Sequence, residues 1–326
     1  MTPLQDTARF LVHARDPQEQ ASSFGLLEQS YEQLSPGRFS GSFFAVSAND
    51  ITVFQETLDQ SVFQTGVSDP GHFTIATACE LSEQAYWNGR HIDQDTVVAF
   101  TPGREFELRT PTHAVCVGIS LAPSALQSLA PERSPEHWQK IFADHDCWSQ
   151  ADRLKGALQR RIAQLLQADA GTAADWADEL LGLRELTIDY LGSVIERGDN
   201  GAHKLRVDSY PRIAKRARAA MLERLHEPLS VTDLCLQLGC SRRSLQYAFE
   251  SIYGQNPVAY LRTLRLAAAR RLLTSGNPDV TVQDVAGTVG FNHLPRFAQA
   301  YAQMYGERPS ESLAAHAPRT GRRPAG

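Results

Sequence analysis

Seven residues near the C-terminus carry side chains suited to gripping a polyanion and reading its surface. They form two groups, Arg242, Arg243, Gln246 and Tyr247, then Asn292, His293 and Arg296. Guanidinium groups make charge-assisted, often bidentate hydrogen bonds to phosphate, and Arg, Asn and Gln pair with base edges in a DNA groove. The spacing matters as much as the residue types. If residues 241–249 are helical, Leu245 and Phe249 fall four apart on an inward face, which leaves Arg242, Arg243, Gln246 and Tyr247 mostly outside.

Other reactive side chains are scattered. The five cysteines, Cys79, Cys116, Cys147, Cys235 and Cys240, are odd in number and contain no C-x-x-C pair, so reduced, buried thiols are expected rather than a zinc cluster. His72, His91 and His113 stand apart from one another, as surface or core histidines do. No cofactor or metal is expected from such a set, and an enzyme is not favoured: alkyl-transfer chemistry would want a reactive cysteine beside a base or a four-cysteine zinc site.

What positions the seven polar residues is an internal duplication. Ser230-Val-Thr-Asp233 matches Thr281-Val-Gln-Asp284, each a Ser/Thr-x-x-acid signal for a helix start. Leu234, Leu238 and Gly239 then match Val285, Val289 and Gly290, a short helix closed by a glycine able to take positive φ. A second helix follows in each copy, at Ser241 and near Asn292. Each copy closes alike, Phe249-x3-Tyr253-Gly254-x2-Pro257-x3-Leu261 against Tyr301-x3-Tyr305-Gly306-x2-Pro309-x3-Leu313. These are two helix-turn-helix units. Val258 to Leu273 reads as one helix between them, with Leu261, Leu264, Ala268 and Leu272 inside and Arg262, Arg265, Arg270 and Arg271 partly outside. Such a spacer could hold the second helices about one DNA turn, roughly 34 Å, apart. A helical bundle with merely solvated arginines is the alternative.

Charge divides the chain in the same place. Net charge is −5, yet residues 204–326 carry about eighteen Lys and Arg against about nine Asp and Glu, leaving the first 203 residues strongly acidic. A chain of 326 residues, 42% hydrophobic, is expected to form more than one globular domain. Residues 36–120 are broken by turn signals (Pro36-Gly37, Asn49-Asp50, Asp69-Pro70-Gly71, Asn88-Gly89, Pro102-Gly103) between runs rich in Val, Ile, Phe and Thr, a β-sandwich or β-barrel pattern. Strands are expected over Gly41 to Ser47, Thr52 to Thr57, His72 to Ala78, Thr96 to Phe100, Phe106 to Arg109 and Ala114 to Ile119. From Pro123 the period becomes helical, and Trp176 to Ile195 would place Leu180, Leu183, Leu186, Tyr190, Leu191 and Val194 near one face, as a core helix or a dimer seam.

The expected organisation is a sensor or regulatory domain over 1–197, β-rich at about 36–120 and helical at about 122–197. A linker at 198–209, a double helix-turn-helix domain at 210–315 and a flexible tail at 316–326 complete it. The N-terminus lacks a basic segment followed by an apolar run, and no stretch approaches eighteen apolar residues, so a soluble cytoplasmic protein without membrane contact is expected.

Leu229 to Leu313 resembles the DNA-binding module of the AraC/XylS family of regulators. Leu-Gly-Cys-Ser-Arg-Arg-Ser-Leu-Gln-Tyr-Ala-Phe and Gly-Glu-Arg-Pro-Ser-Glu-Ser-Leu carry the likeness, which extends weakly back to Pro211. Ser35-Pro-Gly-Arg-Phe-Ser-Gly41 is similar to the N-terminal region of a branch containing the ethanolamine-operon regulator. The resemblance implies a transcription factor that binds operator or promoter DNA. It places Arg243, Gln246 and Tyr247 against bases and Arg242 near the backbone, with Asn292, His293 and Arg296 in corresponding places. Leu294 and Pro295 depart from the small or polar residues frequent there, which puts base contacts by the second unit in question. The resemblance also implies a cupin-like N-terminal barrel for a small-molecule effector, a dimerising helical segment and RNA polymerase as a partner. A catalytic metal cupin would need clustered His-x-His and a Glu, which this chain lacks. Phe43, Phe54, Phe73, Tyr86, Trp87 and Phe100 with Arg90 and Arg104 could line a pocket, with Tyr86, Trp87, Arg90 and Arg104 as candidate ligand contacts, or the aromatics could be plain core. A DNA-module-linked enzyme and a ligand-independent architectural DNA-binding protein are the alternative functions.

Overall fold

Short runs of β-branched and aromatic residues between turn signals fold as antiparallel strands, and the helical period after Pro123 folds as helices. The structure is a computed structural model of the chain and describes residues 8–25, 27–48, 50–129, 134–144, 146–148, 152–167, 173–196 and 209–316. The chain divides into two compact units: unit 1 is Met1–Tyr31 with Phe39–Val207, and unit 2 is Glu32–Arg38 with Asp208–Gly326. All but Ser209 of the expected linker at 198–209, and the tail beyond His316, lie outside the described residues.

The β-rich part contains β1 (Ala8–Ala14), β2 (Leu27–Gln33), β3 (Gly41–Ala48), β4 (Ile51–Leu58), β5 (Val62–Ser68), β6 (Phe73–Leu81), β7 (Ala85–Trp87), β8 (Arg90–Ile92), β9 (Val97–Phe100), β10 (Glu105–Arg109), β11 (Ala114–Leu121) and β12 (Cys147–Trp148). Its helices are α1 (Pro17–Ala21), α2 (Pro123–Leu129), α3 (Pro135–Asp144), α4 (Asp152–Gln167) and α5 (Ala173–Glu196). The strands make two sheets, ordered β1-β3-β4-β11-β6-β9-β12 and β2-β5-β10-β7-β8.

Successive side chains on a strand point to opposite faces, and in β3 both faces are buried. Phe43 and Ala45 join Phe24, Phe54, Trp87, Phe100 and Phe106 in one core, whereas Phe44 and Val46 pack with residues of α4 and α5 such as Leu158, Ile162, Leu180 and Leu183. A sheet covered on both sides favours apolar strands, and β3, β4, β6, β9 and β11 of this sheet were legible in the sequence, as was β10 of the other. The strands not foreseen, β1, β2, β5, β7, β8 and β12, are polar or very short: β1 carries Arg9 and His13 and leaves alternate residues open. β7 and β8 are three-residue arms of a hairpin around Asn88-Gly89, where φ is 42° and 95°.

In α5, Leu180, Leu183, Tyr190 and Leu191 are buried as expected. Leu186 is not: it is 36% exposed, and Thr187, fully buried, takes the inward place by donating its hydroxyl to the Leu183 carbonyl. That back-bond satisfies the hydroxyl within the helix, so a polar residue fits the packed face. The Val194 side chain lies outside the described residues.

Unit 2 holds α6 (Ser209–Glu223), α7 (Val231–Leu238), α8 (Arg242–Tyr253), α9 (Pro257–Leu273), α10 (Val282–Thr288), α11 (Leu294–Tyr305) and α12 (Pro309–His316). The expected one-sided burial of α9 is corrected. Leu261 and Leu264 are buried, but Ala268 and Leu272 are half-buried, and Tyr260, Leu266, Ala269 and Leu273 are the more deeply enclosed. Having neighbours on several sides, α9 cannot keep a single apolar stripe: Tyr260 stacks on Tyr253 of α8, while Leu266, Ala269 and Leu273 join the core of α10 and α11.

Candidate nucleic-acid interface and ligand cavity

Each helix-turn-helix unit begins on a side-chain cap. Ser230 Oγ accepts from the Asp233 amide while the Asp233 carboxylate accepts from the Ser230 amide, a reciprocal capping box at α7. The Ser230 hydroxyl, donating to the same carboxylate at 2.7 Å, and then the Ser230 amide hold the Asp233 carboxyl below the ordinary aspartate range. Thr281 caps α10 through the Asp284 amide. Gly239 (φ 63°) and Gly290 (φ 79°) make the left-handed turns into the second helices.

Helix α8 starts from Ser241, whose Oγ accepts from the Ser244 amide. Leu245, Ala248, Phe249, Ile252 and Tyr253 are buried and lock its inner face, fixing the rotation that sends the polar residues outward. Arg242, Arg243 and Tyr247 are exposed and Gln246 is half-buried. The Arg243 guanidinium carbon lies 5.3 Å from the centre of the Tyr247 ring, and Nη2 reaches the Tyr247 hydroxyl at 3.4 Å. This cation–π contact narrows the arrangements available to a long side chain and leaves other donors free to turn outward. Gln246 donates to Glu250 one turn on.

Helix α11 starts close to Asn292, as expected: its first helical residue is Leu294, and Pro295 follows in the first turn, where a missing amide hydrogen costs nothing. His293 is its N-cap, Nδ1 accepting from the Arg296 amide at 3.2 Å. Asn292, His293, Leu294, Pro295 and Arg296 are all exposed, so the leading edge of α11 presents fewer polar side chains than that of α8. Buried Phe297, Tyr301 and Tyr305 anchor its inner face. Two arginines of α9 have structural work. Arg265 donates to the carbonyls of Leu225 (2.8 Å) and Glu227 (2.6 Å), and Arg270 pairs with Glu307 at 3.0 Å beneath the Tyr305 ring.

Unit 1 contains a cavity between its two sheets. Phe43, Phe54, Glu56, Ala76, Val98, Phe100 and Cys116 line it from one sheet and Gln29, Tyr31, Gln64, Leu108 and Thr110 from the other, with Phe24 beside them. The four candidate ligand contacts sit elsewhere. Trp87 is core, against Phe100 (4.8 Å between centroids) and Phe106, its indole N–H donating to the Asp146 carbonyl. Tyr86 is buried near His91, Arg90 pairs with Asp146 at 2.9 Å, and Arg104 is exposed at the edge of β10. None of the four is among the lining residues, whereas Phe43, Phe54 and Phe100 are.

Glu56 is the feature that sequence reading missed. It sits in β4 two residues from Phe54, on the same face, and is flanked across the sheet by Phe43 and Cys116. Tyr31 Oη and Gln20 Nε2 both donate to its Oε1, at 2.8 and 3.0 Å. Burial pushes its carboxyl above the ordinary glutamate range, although the two hydrogen bonds pull the other way. The only advance signal was a carboxylate in a strand that carries no other charged residue. Among the described residues no group of three His, Cys, Asp or Glu is placed to hold a metal ion, and no helix is long and apolar enough to cross a membrane.

Residues 214–315 match a family described as a helix-turn-helix domain. The chain is 38% identical over 88 residues to a probable thc operon regulatory protein of Rhodococcus erythropolis, covering 27% of this chain and 26% of that protein. It is 34% identical over 95 residues to the XylDLEGF operon transcriptional activator 2 of Pseudomonas putida, covering 29% of this chain and 60% of that one. Among solved structures, a probable AraC family transcriptional regulator from Rhodopseudomonas palustris CGA009 is similar over 33% of this chain and 99% of its own, at 31% identity and a TM-score of 0.31. The chain thus spans between about a quarter and three-fifths of the length of these two curated relatives. Residues 214–315 thus form a helix-turn-helix domain of the AraC/XylS type.

Proposed function

We propose that this protein is a sequence-specific, DNA-binding transcription regulator whose α8 and α11 enter successive major-groove segments of an operator or promoter. The observation that carries the reading is the duplicated helix-turn-helix, each copy burying its apolar face and leaving Arg242, Arg243, Gln246 and Tyr247, or Asn292, His293 and Arg296, at the surface. Cytoplasmic location, dimerisation and contact with RNA polymerase during activation belong to the same reading. A small-molecule effector held in a cupin-like unit 1 would control it, and the apolar cavity with a few buried polar groups supports that part.

The two helices are unequal in this reading. α8 offers two arginines and a glutamine, while the first turn of α11 holds Leu294 and Pro295 and its histidine is engaged in capping. A lost arginine–base pair costs roughly 1–3 kcal/mol of discrimination. Arg243→Ala is therefore expected to erase selectivity between operator and scrambled DNA more fully than Arg296→Ala. Competition footprinting with genomic fragments bound by the full chain measures both, and the reverse order would refute the assignment. Affinity of the unaltered protein should fall steeply with salt, because phosphate neutralisation releases counterions.

A further inference from the structure

We propose that the cavity of unit 1 takes a small organic cation, a protonated amine on an apolar body, with Glu56 as its counter-ion and the rings of Phe24, Phe43 and Phe54 as its walls. This rests on the reading that unit 1 binds a small molecule, and adds which charge that molecule carries.

The walls come first. Phe24 lies 5.0 Å from Phe43 and 4.6 Å from Phe54 between ring centroids, and Phe43 and Phe54 are 5.8 Å apart, so the three rings form one continuous aromatic surface on the cavity. Gly118, paired with Phe54 on β11, leaves room for that ring: a Cβ there would overlap it. Aromatic faces attract organic cations and repel anions.

Charge is the second argument. Glu56 is enclosed by protein yet keeps accessible surface, and it lines the cavity. Both of its hydrogen bonds reach Oε1, which leaves Oε2 for a ligand. The described lining residues include no Lys, Arg or His. An anionic ligand would meet a carboxyl and no compensating charge, whereas an ammonium would satisfy the carboxylate that burial otherwise penalises. The other titratable groups facing Glu56 are Tyr31 from β2 and Cys116 from β11, and burial pushes both above their ordinary ranges, so they remain neutral near neutral pH.

The third argument is unmet hydrogen bonding. Gln64 and Thr110 are buried to within 3% of full enclosure and line the cavity, yet Gln64 Nε2 and Thr110 Oγ1 lack protein partners, as does Gln29 Oε1. Buried polar atoms are rarely left so unless a ligand or water completes them. The register of β11 against β6 also shifts between Val115 and Cys116, beside Glu56, the kind of irregularity that re-aims side chains at a binding site.

The test compares three probes with one ring and one short chain: 2-phenylethylamine, 2-phenylethanol and phenylacetate, titrated calorimetrically into the full chain. The amine is expected to bind at least about tenfold more tightly than either other probe. Glu56→Gln, nearly isosteric, should remove that preference while leaving the alcohol's affinity unchanged. Because the variant could fold poorly, the unaltered protein supplies a second readout: amine affinity should rise with pH as Glu56, raised by burial, ionises above the ordinary glutamate range, the amine itself staying protonated. Equal or tighter binding of the alcohol or phenylacetate, a flat pH profile, or no binding of the amine would each overturn the proposal. Operator affinity measured with and without the amine separates the two readings. Amine binding without a change in DNA affinity sinks effector control alone, and a response to phenylacetate instead sinks the amine alone.

Discussion

Gly239 and Gly290 occupy the same place in the two helix-turn-helix copies and take the same left-handed conformation, yet alanine should be far worse at one than at the other. At Gly239 a Cβ would meet nothing within 4 Å, so the substitution carries only the cost of a left-handed alanine, about 1 kcal/mol. At Gly290 a Cβ would lie 2.8 Å from the Leu225 carbonyl oxygen and 3.2 Å from the Arg265 guanidinium carbon and Nη2. That guanidinium is held by the carbonyls of Leu225 and Glu227, so making room disturbs both bonds. Displacing a packed backbone contact costs about 1–3 kcal/mol more, for a total of about 3 kcal/mol. Native-state hydrogen exchange by mass spectrometry on the full chain reads this directly. Peptides from α10 and α11 should exchange about 150-fold faster in Gly290→Ala, and those from α7 and α8 about fivefold faster in Gly239→Ala. Equal acceleration in the two variants would show that crowding by Leu225 and Arg265 does not decide the cost.

The roles of His293 can be separated by substitution. His293→Ala should lower the stability of α11 by about 1 kcal/mol, seen as faster exchange in its first turns, and His293→Asn should restore it, because an asparagine oxygen caps as well. If DNA affinity falls equally in both variants, His293 touches DNA in addition to capping. The capping box of α7 gives a pH signature: the folded-state carboxyl of Asp233 lies below its unfolded range, so its contribution is present above about pH 4 and is lost as pH falls through the folded value. Protection of α7, corrected for intrinsic exchange, should decline on acidification below pH 4, and the decline should be absent in Asp233→Asn; a decline of the same size in the variant would point to another group.

Much of unit 2 was legible because its signals are local. A serine three residues before an aspartate, a glycine after the last apolar position and a proline opening the next helix act through backbone groups within a few residues, so Ser230, Gly254 and Pro257 reveal their roles without distant partners. Helix α9 was less legible, since its burial depends on elements on both sides of it in sequence, and Leu272 and Leu273 look alike until those neighbours are placed. In unit 1 the apolar strands were readable and the polar ones were not, because pairing can supply a strand such as β1 with hydrogen-bond partners regardless of its weak pattern.

By itself, then, the sequence determined the duplication, the caps and turns that build each copy, and which polar residues line the outer side of α8, since each follows from spacings of three or four residues along one helix. Only the tertiary structure decided which turn glycine is crowded, which arginines of α9 are committed to carbonyls and carboxylates, and that Glu56 shares a cavity with Tyr31, Gln64 and Thr110. Those facts depend on strand register and on which sheet faces which, so groups far apart in sequence become neighbours only once the chain has folded.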